Sequence, residues 1–249
     1  MRKFTKFEVQ QIRVYNRSSE INQVYKGLNL PSQLTNILHQ WEAQMNKTMQ
    51  EIADVIIGFL PENGVMLDIG SNTGLVSALV LQKKNCYIYM FEPVKEYAVY
   101  SQKRLNDNNR IVVENIALGR ERGELDFWID TSNLGWNTFV GEKVTPGMMR
   151  NKASVMPFDD YSDKMAISRI DVIKMDVEGA EYLALGGMHN TISRLDKKPL
   201  ILLEVGWGCN SHPHWDLEVE EFEWLFSHGY ERFDYQNISK TTDVLIKPV

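Results

Sequence analysis

The stretch Val65 to Ser77 constrains this chain more than any other. Val65-Met66-Leu67-Asp68-Ile69 is a short apolar run rich in strand formers, and Pro61, Asn63 and Gly64 supply turn residues ahead of it. That pattern reads as a buried strand. Gly70 to Gly74 forms a tight turn, and Leu75 to Gln82 then has helical spacing, with Ser71 or Asn72 as the expected N-cap. Strand, glycine turn and helix N-terminus together outline a nucleotide-binding element, so the chain is expected to be an α/β protein.

The spacing discriminates between nucleotides. A dinucleotide fingerprint reads G-x-G-x-x-G, whereas here the run is D-x-G-x-x-x-G, with Asp68 in the first position. A carboxylate there repels a pyrophosphate on the helix N-terminus and attracts a cation. S-adenosylmethionine (SAM) has no phosphate and carries an ammonium and a sulfonium. Asp68 therefore shifts the reading from NAD to SAM. The bland alternative is a strand-turn-helix whose glycines serve the turn alone.

Down the chain the same rhythm repeats. Cys86 to Phe91 reads as a second buried strand ending in Glu92-Pro93, Val94 to Asn106 as a helix, and Ile111 to Val113 as the start of a third strand. Alternating strands and helices imply parallel βαβ units with right-handed crossovers, and such sheets bind ligands at the carboxyl ends of their strands. Glu92 falls at such an end, 24 residues after Asp68. An acidic residue so placed hydrogen-bonds ribose hydroxyls; its structural alternative is a charge favoured by a helix N-terminus.

Residues 120–160 break this rhythm. Glu124 to Ile129 alternates as a strand, Thr138 to Val140 is expected to return as its hairpin partner, and Ala153 to Met156 is a further short strand. Trp128 and Trp136 read equally as core or as substrate-facing aromatics. Arg169 to Glu181 is the second informative stretch. Ile170 to Met175 is a central strand that contains Lys174, and a buried lysine must be paired. Asp176, at that strand's tip, is expected in the cleft with Asp68 and Glu92. Tyr182 to Met188 reads as a helix and Leu200 to Val205 as the fifth strand, with Glu204 at its tip. A loop carrying Trp207, His212, His214 and Trp215 follows, then a helix over Phe222 to His228. Tyr230 to Tyr235 and Asp243 to Lys247 are expected to close the sheet as an antiparallel pair.

Ahead of the first strand, apolar residues from Leu34 to Phe59 recur at helical steps. The expected division is an N-terminal helical extension over 1–44, serving as a cap or oligomer contact, and a catalytic domain over 45–249. A homodimer through the N-terminal helices is one reading of that extension. Residues 1–30 carry six Lys or Arg against Glu8 and Glu20, which reads as a solvated basic face. The whole chain, at 249 residues and 43% hydrophobic, has enough apolar side chains for a sizeable core. Its net charge of −6 disfavours a nucleic-acid partner. Cys86 and Cys209 make no zinc or disulfide pattern, which fits a reducing cytoplasm. No secretory signal or membrane span is expected.

The motifs together resemble the FkbM family of SAM-dependent methyltransferases over roughly residues 50–247. They are LDIGSNTG at 67–74, FEP at 91–93, ALG at 117–119, FDDY at 158–161, DVIKMDVEGAE at 171–181, LLEVG at 202–206 and HGY at 228–230. Phe158 stands where the family usually has leucine. The resemblance implies a doubly wound, mostly parallel seven-stranded sheet of the Rossmann-like type. It also implies SAM as cofactor, S-adenosylhomocysteine (SAH) as product, and O-methylation of a saccharide or other small natural product. Carried over by position, Asp68, Gly70, Ser71, Asn72 and Gly74 line the methionine end, Glu92 with Pro93 holds the ribose, and Ile116 and Ala117 neighbour the adenine. Asp176 faces the methionine portion or the substrate.

An aliphatic hydroxyl is a poor nucleophile, so a general base is expected from Asp176, Glu178, Glu204, His212 or His214, with histidine suited to neutral pH. Asp176 and Glu204 could instead hold Mg²⁺. The metal-free scheme is favoured, because the sequence shows no third acidic ligand at a strand tip. The rival functions are a SAM-binding module without catalysis and an NAD-dependent oxidoreductase.

Overall fold

The computed structural model describes residues 31–105, 109–130, 135–209 and 211–249. The expectations for residues 1–30 lie outside the described residues.

Helix α1 (Pro31–Phe59) is a single helix that passes residue 44 without a break. Ala53 and Ile56 on its C-terminal half are fully buried against the sheet. Then come β1 (Val65–Ile69), α2 (Leu75–Leu81), β2 (Tyr87–Phe91), α3 (Lys95–Arg104) and β3 (Ile111–Glu114). β4 (Ala117–Leu118), β5 (Gly123–Ile129), β6 (Met149–Met156) and α4 (Phe158–Met165) follow. The chain continues through β7 (Val172–Met175), α5 (Glu181–Gly186), α6 (His189–Arg194), β8 (Leu200–Val205), α7 (Trp215–Ser227) and β9 (Thr242–Ile246). Among the described residues no helix is long and apolar enough to cross a membrane.

The main sheet has the order β3-β2-β1-β7-β8-β9. Its first five strands are parallel and β9 runs antiparallel to β8. Helices on both faces bury both sides of each central strand. Leu67, Ile69, Tyr89, Phe91, Ile173 and Met175 pack on one face, and Met66, Ile88, Met90 and Val172 on the other. Burying each such side chain stabilises the fold by about 1.5–3 kcal/mol. This is the doubly wound α/β architecture the sequence implies, with six strands in the main sheet where seven were expected. The difference lies at Tyr230–Tyr235, which does not form a strand. Tyr230 makes one bridge to Pro248, and a short 3₁₀ turn covers Tyr235–Asn237.

The strand partner of β5 also differs from expectation. β5 pairs antiparallel with β6, and β6 pairs parallel with β4, giving a separate three-stranded sheet. Thr138 makes only an isolated bridge to Trp128. Helix α7 begins at Trp215, seven residues before the expected start at Phe222.

The strand order reverses between β1 and β7: β2 and β3 lie on one side, β8 and β9 on the other. The register sets Ile69 opposite both Phe91 and Met175, so the carboxyl ends of β1, β2 and β7 are level. A crevice at such a switch point is where a ligand of this fold binds.

Candidate active site

The turn after β1 makes the floor of that crevice. Gly70 has φ of 72° and Asn72 has φ of 48°, both left-handed. A side chain at Gly70 could not fit, since a Cβ there would lie 1.8 Å from the Asp176 carbonyl oxygen. Here the exits of β1 and β7 touch through their backbones. Helix α2 is capped at Gly74, itself left-handed, without a side-chain bond. The expected Ser71 or Asn72 cap is thus replaced by a glycine, which enters this geometry without a Cβ clash. Ser71 Oγ and Thr73 Oγ1 are buried and make no hydrogen bond among the described residues. Both residues line the cleft, so their hydroxyls are available to a polar ligand.

Glu92 stands at the tip of β2, nearly inaccessible. Its Oε2 accepts the Asn72 backbone N–H at 2.8 Å and its Oε1 accepts the Val94 N–H at 2.7 Å. Burial, opposed by these two bonds, pushes its carboxyl up to about 7. Each carboxylate oxygen has a second lone-pair site, so Glu92 can fasten the turn and still accept a hydroxyl. Pro93, Ile116 and Ala117 line the cleft beside it.

Asp68 and Gly74 do not line the cleft. Asp68 is fully buried, where Oδ2 accepts the Ser77 hydroxyl at 2.6 Å and Oδ1 lies 3.3 Å from Lys174 Nζ. The cation that Asp68 attracts is therefore the chain's own lysine. Lys174 also donates to the Gly70 carbonyl at 2.8 Å and lies 3.5 Å from Asp176 Oδ2. Burial works to lower its pKa, but the Asp176 and Asp68 carboxylates outweigh it and hold the ammonium above its usual range. Lys174 lines the cleft and ties β1 to β7.

Asp176, Glu178, Glu204 and Asp243 crowd the far end of the cleft. One oxygen from each of Asp176, Glu178 and Glu204 lies within 4.8 Å of the others. Burial first, then the neighbouring acids, pushes Glu178, Glu204 and Asp243 above the ordinary carboxyl range. Glu204 Oε2 is buried with no hydrogen-bond partner among the described residues. Glu178, expected as one of several candidate bases, also supplies the third acid that the strand tips did not offer. It sits not on a strand but in the loop after β7, held in the left-handed region at φ of 53°.

The histidines lie elsewhere. Neither His212 nor His214 lines the cleft. His212 is buried, its Nδ1 accepts the His214 N–H at 2.9 Å, and its Nε2 lies 3.1 Å from the Gly179 carbonyl. Nε2 therefore carries the proton and donates it. Burial lowers the imidazole pKa to about 4. His212 packs beside Glu181 and Glu218, both fully inaccessible and both pushed up, mainly by burial. This second group is ill suited to a metal, because the ring nitrogen facing the acids is already protonated.

The N-terminal helix contributes as well. Met45, Thr48, Met49 and Ile52 of α1 line the cleft. Their helical spacing was visible in the sequence, but periodicity alone does not separate a packed face from one that borders a ligand.

The FkbM methyltransferase domain matches residues 68–232. The chain belongs to the FkbM methyltransferase family. It is a SAM-dependent methyltransferase. The hexuronic acid methyltransferase AglP of Haloferax volcanii is 23% identical over 175 residues, which cover 68% of this chain and 67% of AglP. Among solved structures, a TehB-like SAM-dependent methyltransferase from Corynebacterium glutamicum aligns at 13% identity and TM-score 0.44, covering 87% of this chain and 97% of its own. Aeropyrum pernix fibrillarin, solved with SAM bound, aligns at 11% identity and TM-score 0.45, covering 79% and 73%. The residues of the cleft suit SAM. Unpartnered hydroxyls stand on the glycine turn, Glu92 stands at the tip of β2, and carboxylates outnumber Lys174 in the lining, a set of groups that would suit a ligand bearing hydroxyls and positive charge.

Proposed function

We propose that this FkbM methyltransferase methylates a hydroxyl of a saccharide or related small natural product, with Glu204 as the general base. The observation that carries this reading is the buried Oε2 of Glu204, a residue lining the cofactor cleft, which has no hydrogen-bond partner among the described residues. SAM supplies an electrophilic methyl group, and the chain's residues do the rest. Ser71, Thr73 and Glu92 fix the cofactor, and Asp176, anchored by Lys174, faces its cationic end. Glu204 accepts the proton of the acceptor hydroxyl as the oxygen attacks. Burial and then the neighbouring acids push its carboxyl up to about 9, so it serves as a base when a cation entering the cleft restores its ionised form. Alignment of the acceptor with the methyl group lowers most of the barrier. The base expected among the histidines thus passes to a carboxylate, because both ring nitrogens of His212 are already engaged.

The relative AglP, by its name a hexuronic acid methyltransferase, supports a saccharide acceptor. Free thiols at Cys86 and Cys209 suit a reducing cytoplasm. A second reading gives Asp176, Glu178 and Glu204 a Mg²⁺ ion, and it is favoured only by the mutual approach of their oxygens. The test is transfer of labelled methyl from SAM to a panel of hydroxylated saccharides. Glu204→Gln is expected to lower turnover about 10²–10⁴-fold while SAH affinity changes little. Turnover within threefold of wild type would remove Glu204 from this role. Activity lost in chelator and restored by Mg²⁺ alone would favour the metal.

A further inference from the structure

The wall of the cofactor cleft has a second side. Gly135, Asn137 and Phe139 line the cleft. The alternate residues Trp136 and Thr138 line a separate open cavity of about 290 Å³, together with Glu142, Lys143 and Trp207. Alternation of this kind is what an extended chain does with its side chains. The wall is tied to the acidic loop, since Thr138 Oγ1 donates to the Glu178 carbonyl at 2.8 Å.

Three features mark this cavity as built for a ligand. Trp136 is 42% exposed, a large aromatic left open to solvent. Trp207 is held in the left-handed region at φ of 59°, which is costly for a bulky residue. Its ring presses so closely on Gly179 that a Cβ there would come within 2.1 Å. Lys143 Nζ lies 5.1 Å from the centre of the Trp207 ring, and among the described residues no carboxylate is within ion-pair distance of it. The neighbouring acid, Glu142, is turned instead toward His214 Nε2 at 3.6 Å.

We infer that this cavity is an acceptor subsite for an acidic hexopyranose, with the sugar's apolar face on an indole ring and its carboxylate at Lys143. An indole presents a rigid apolar surface to the C–H face of a pyranose, and a few polar groups around it fix orientation. Lys143 supplies a compact positive charge for the carboxylate. The cavity stands on the other face of segment 135–139 from the cleft, so an acceptor that reaches both carries more than one ring. This inference rests on the saccharide reading and names the class and the residues that select it.

The test uses the SAH-saturated chain with cellobiouronic acid and cellobiose as probes, followed by calorimetry. The acidic disaccharide is expected to bind at least fivefold more tightly than the neutral one. Lys143→Gln should abolish that preference, and Trp136→Ala should weaken both probes at least fivefold. Melting temperature and SAH affinity in each variant serve as folding controls. Equal binding of the two disaccharides overturns the acidic class. Binding that survives both substitutions overturns the subsite while leaving saccharide methylation standing. Failure of both probes to bind, with SAH still bound, overturns the subsite, and methyl transfer to the wider saccharide panel then decides the saccharide reading by itself.

Discussion

Removing the ammonium of Lys174 tests the account of how the cleft is held together. Its nitrogen lies 3.3 Å from the Asp68 carboxylate and 3.5 Å from that of Asp176. At an effective dielectric near 20, each contact is worth about 5 kcal/mol of Coulomb attraction. Desolvation of the three groups offsets much of that. What remains when one partner of a buried ion pair is removed is typically a loss of about 3–5 kcal/mol. Lys174→Met leaves Asp68 at zero exposure with, among the described residues, only the Ser77 hydroxyl for support. Asp176→Asn is milder, because Asp176 is partly exposed and Lys174 keeps both Asp68 and the Gly70 carbonyl. In urea unfolding at pH 7, Lys174→Met is expected to lose about 3–5 kcal/mol and Asp176→Asn less than half of that. The double variant Lys174→Met/Asp68→Asn is expected to recover much of the loss, since it leaves no fully buried charge unpaired, Asp176 being partly exposed. A Lys174→Met protein within about 1 kcal/mol of wild type would refute the reasoning.

Two further outcomes follow from buried acids. Glu218 has its carboxyl pushed from 4.5 to about 8, chiefly by burial. A carboxyl raised on folding stabilises the protein fully below its unfolded value and loses that contribution as pH rises through the folded one. Melting temperature should therefore fall between pH 5 and pH 9, and Glu218→Gln should raise it at pH 8 and flatten the slope; a lower melting temperature for the variant at pH 8 would contradict this. Glu92, pushed up to about 7, accepts a ribose hydroxyl better when ionised. SAH affinity should accordingly strengthen from pH 6 to pH 8, and calorimetry of Glu92→Gln should show weaker binding without that dependence.

Much of the main sheet was legible because β1, β2, β7 and β8 are buried on both faces, so each is a near-continuous apolar run. β6 was legible only at its end. Met149 to Lys152 are exposed, and only Ala153 and Val155 are buried, so half of the strand carries no hydrophobic signal. The early turns of α7 were missed for a related reason. Glu218 and Glu221 are buried there, and two acids in the core blur the amphipathic pattern. Tyr230 is a large buried side chain, which makes its segment look like a strand, yet its packing needs only one bridge. In the candidate site, the positions of Glu92 and Asp176 could be read from strand ends. The pairing of Asp68 with Lys174 was one of several open to a buried strand lysine, and register decides it by setting the two directly opposite each other. The burial of His212 could not be read from the sequence, since it depends on Trp207 and Gly179 packing over it.

The central claim is that the crevice between β1, β2 and β7 holds SAM, with Glu92 gripping its ribose. Titration calorimetry of SAH into wild type and Glu92→Ala at pH 8 tests it most directly. One site is expected in the wild type, and a loss of about 1–3 kcal/mol, roughly 5- to 150-fold, in the variant. SAH that binds Glu92→Ala as tightly as wild type, or that does not bind the wild type at all, would contradict it.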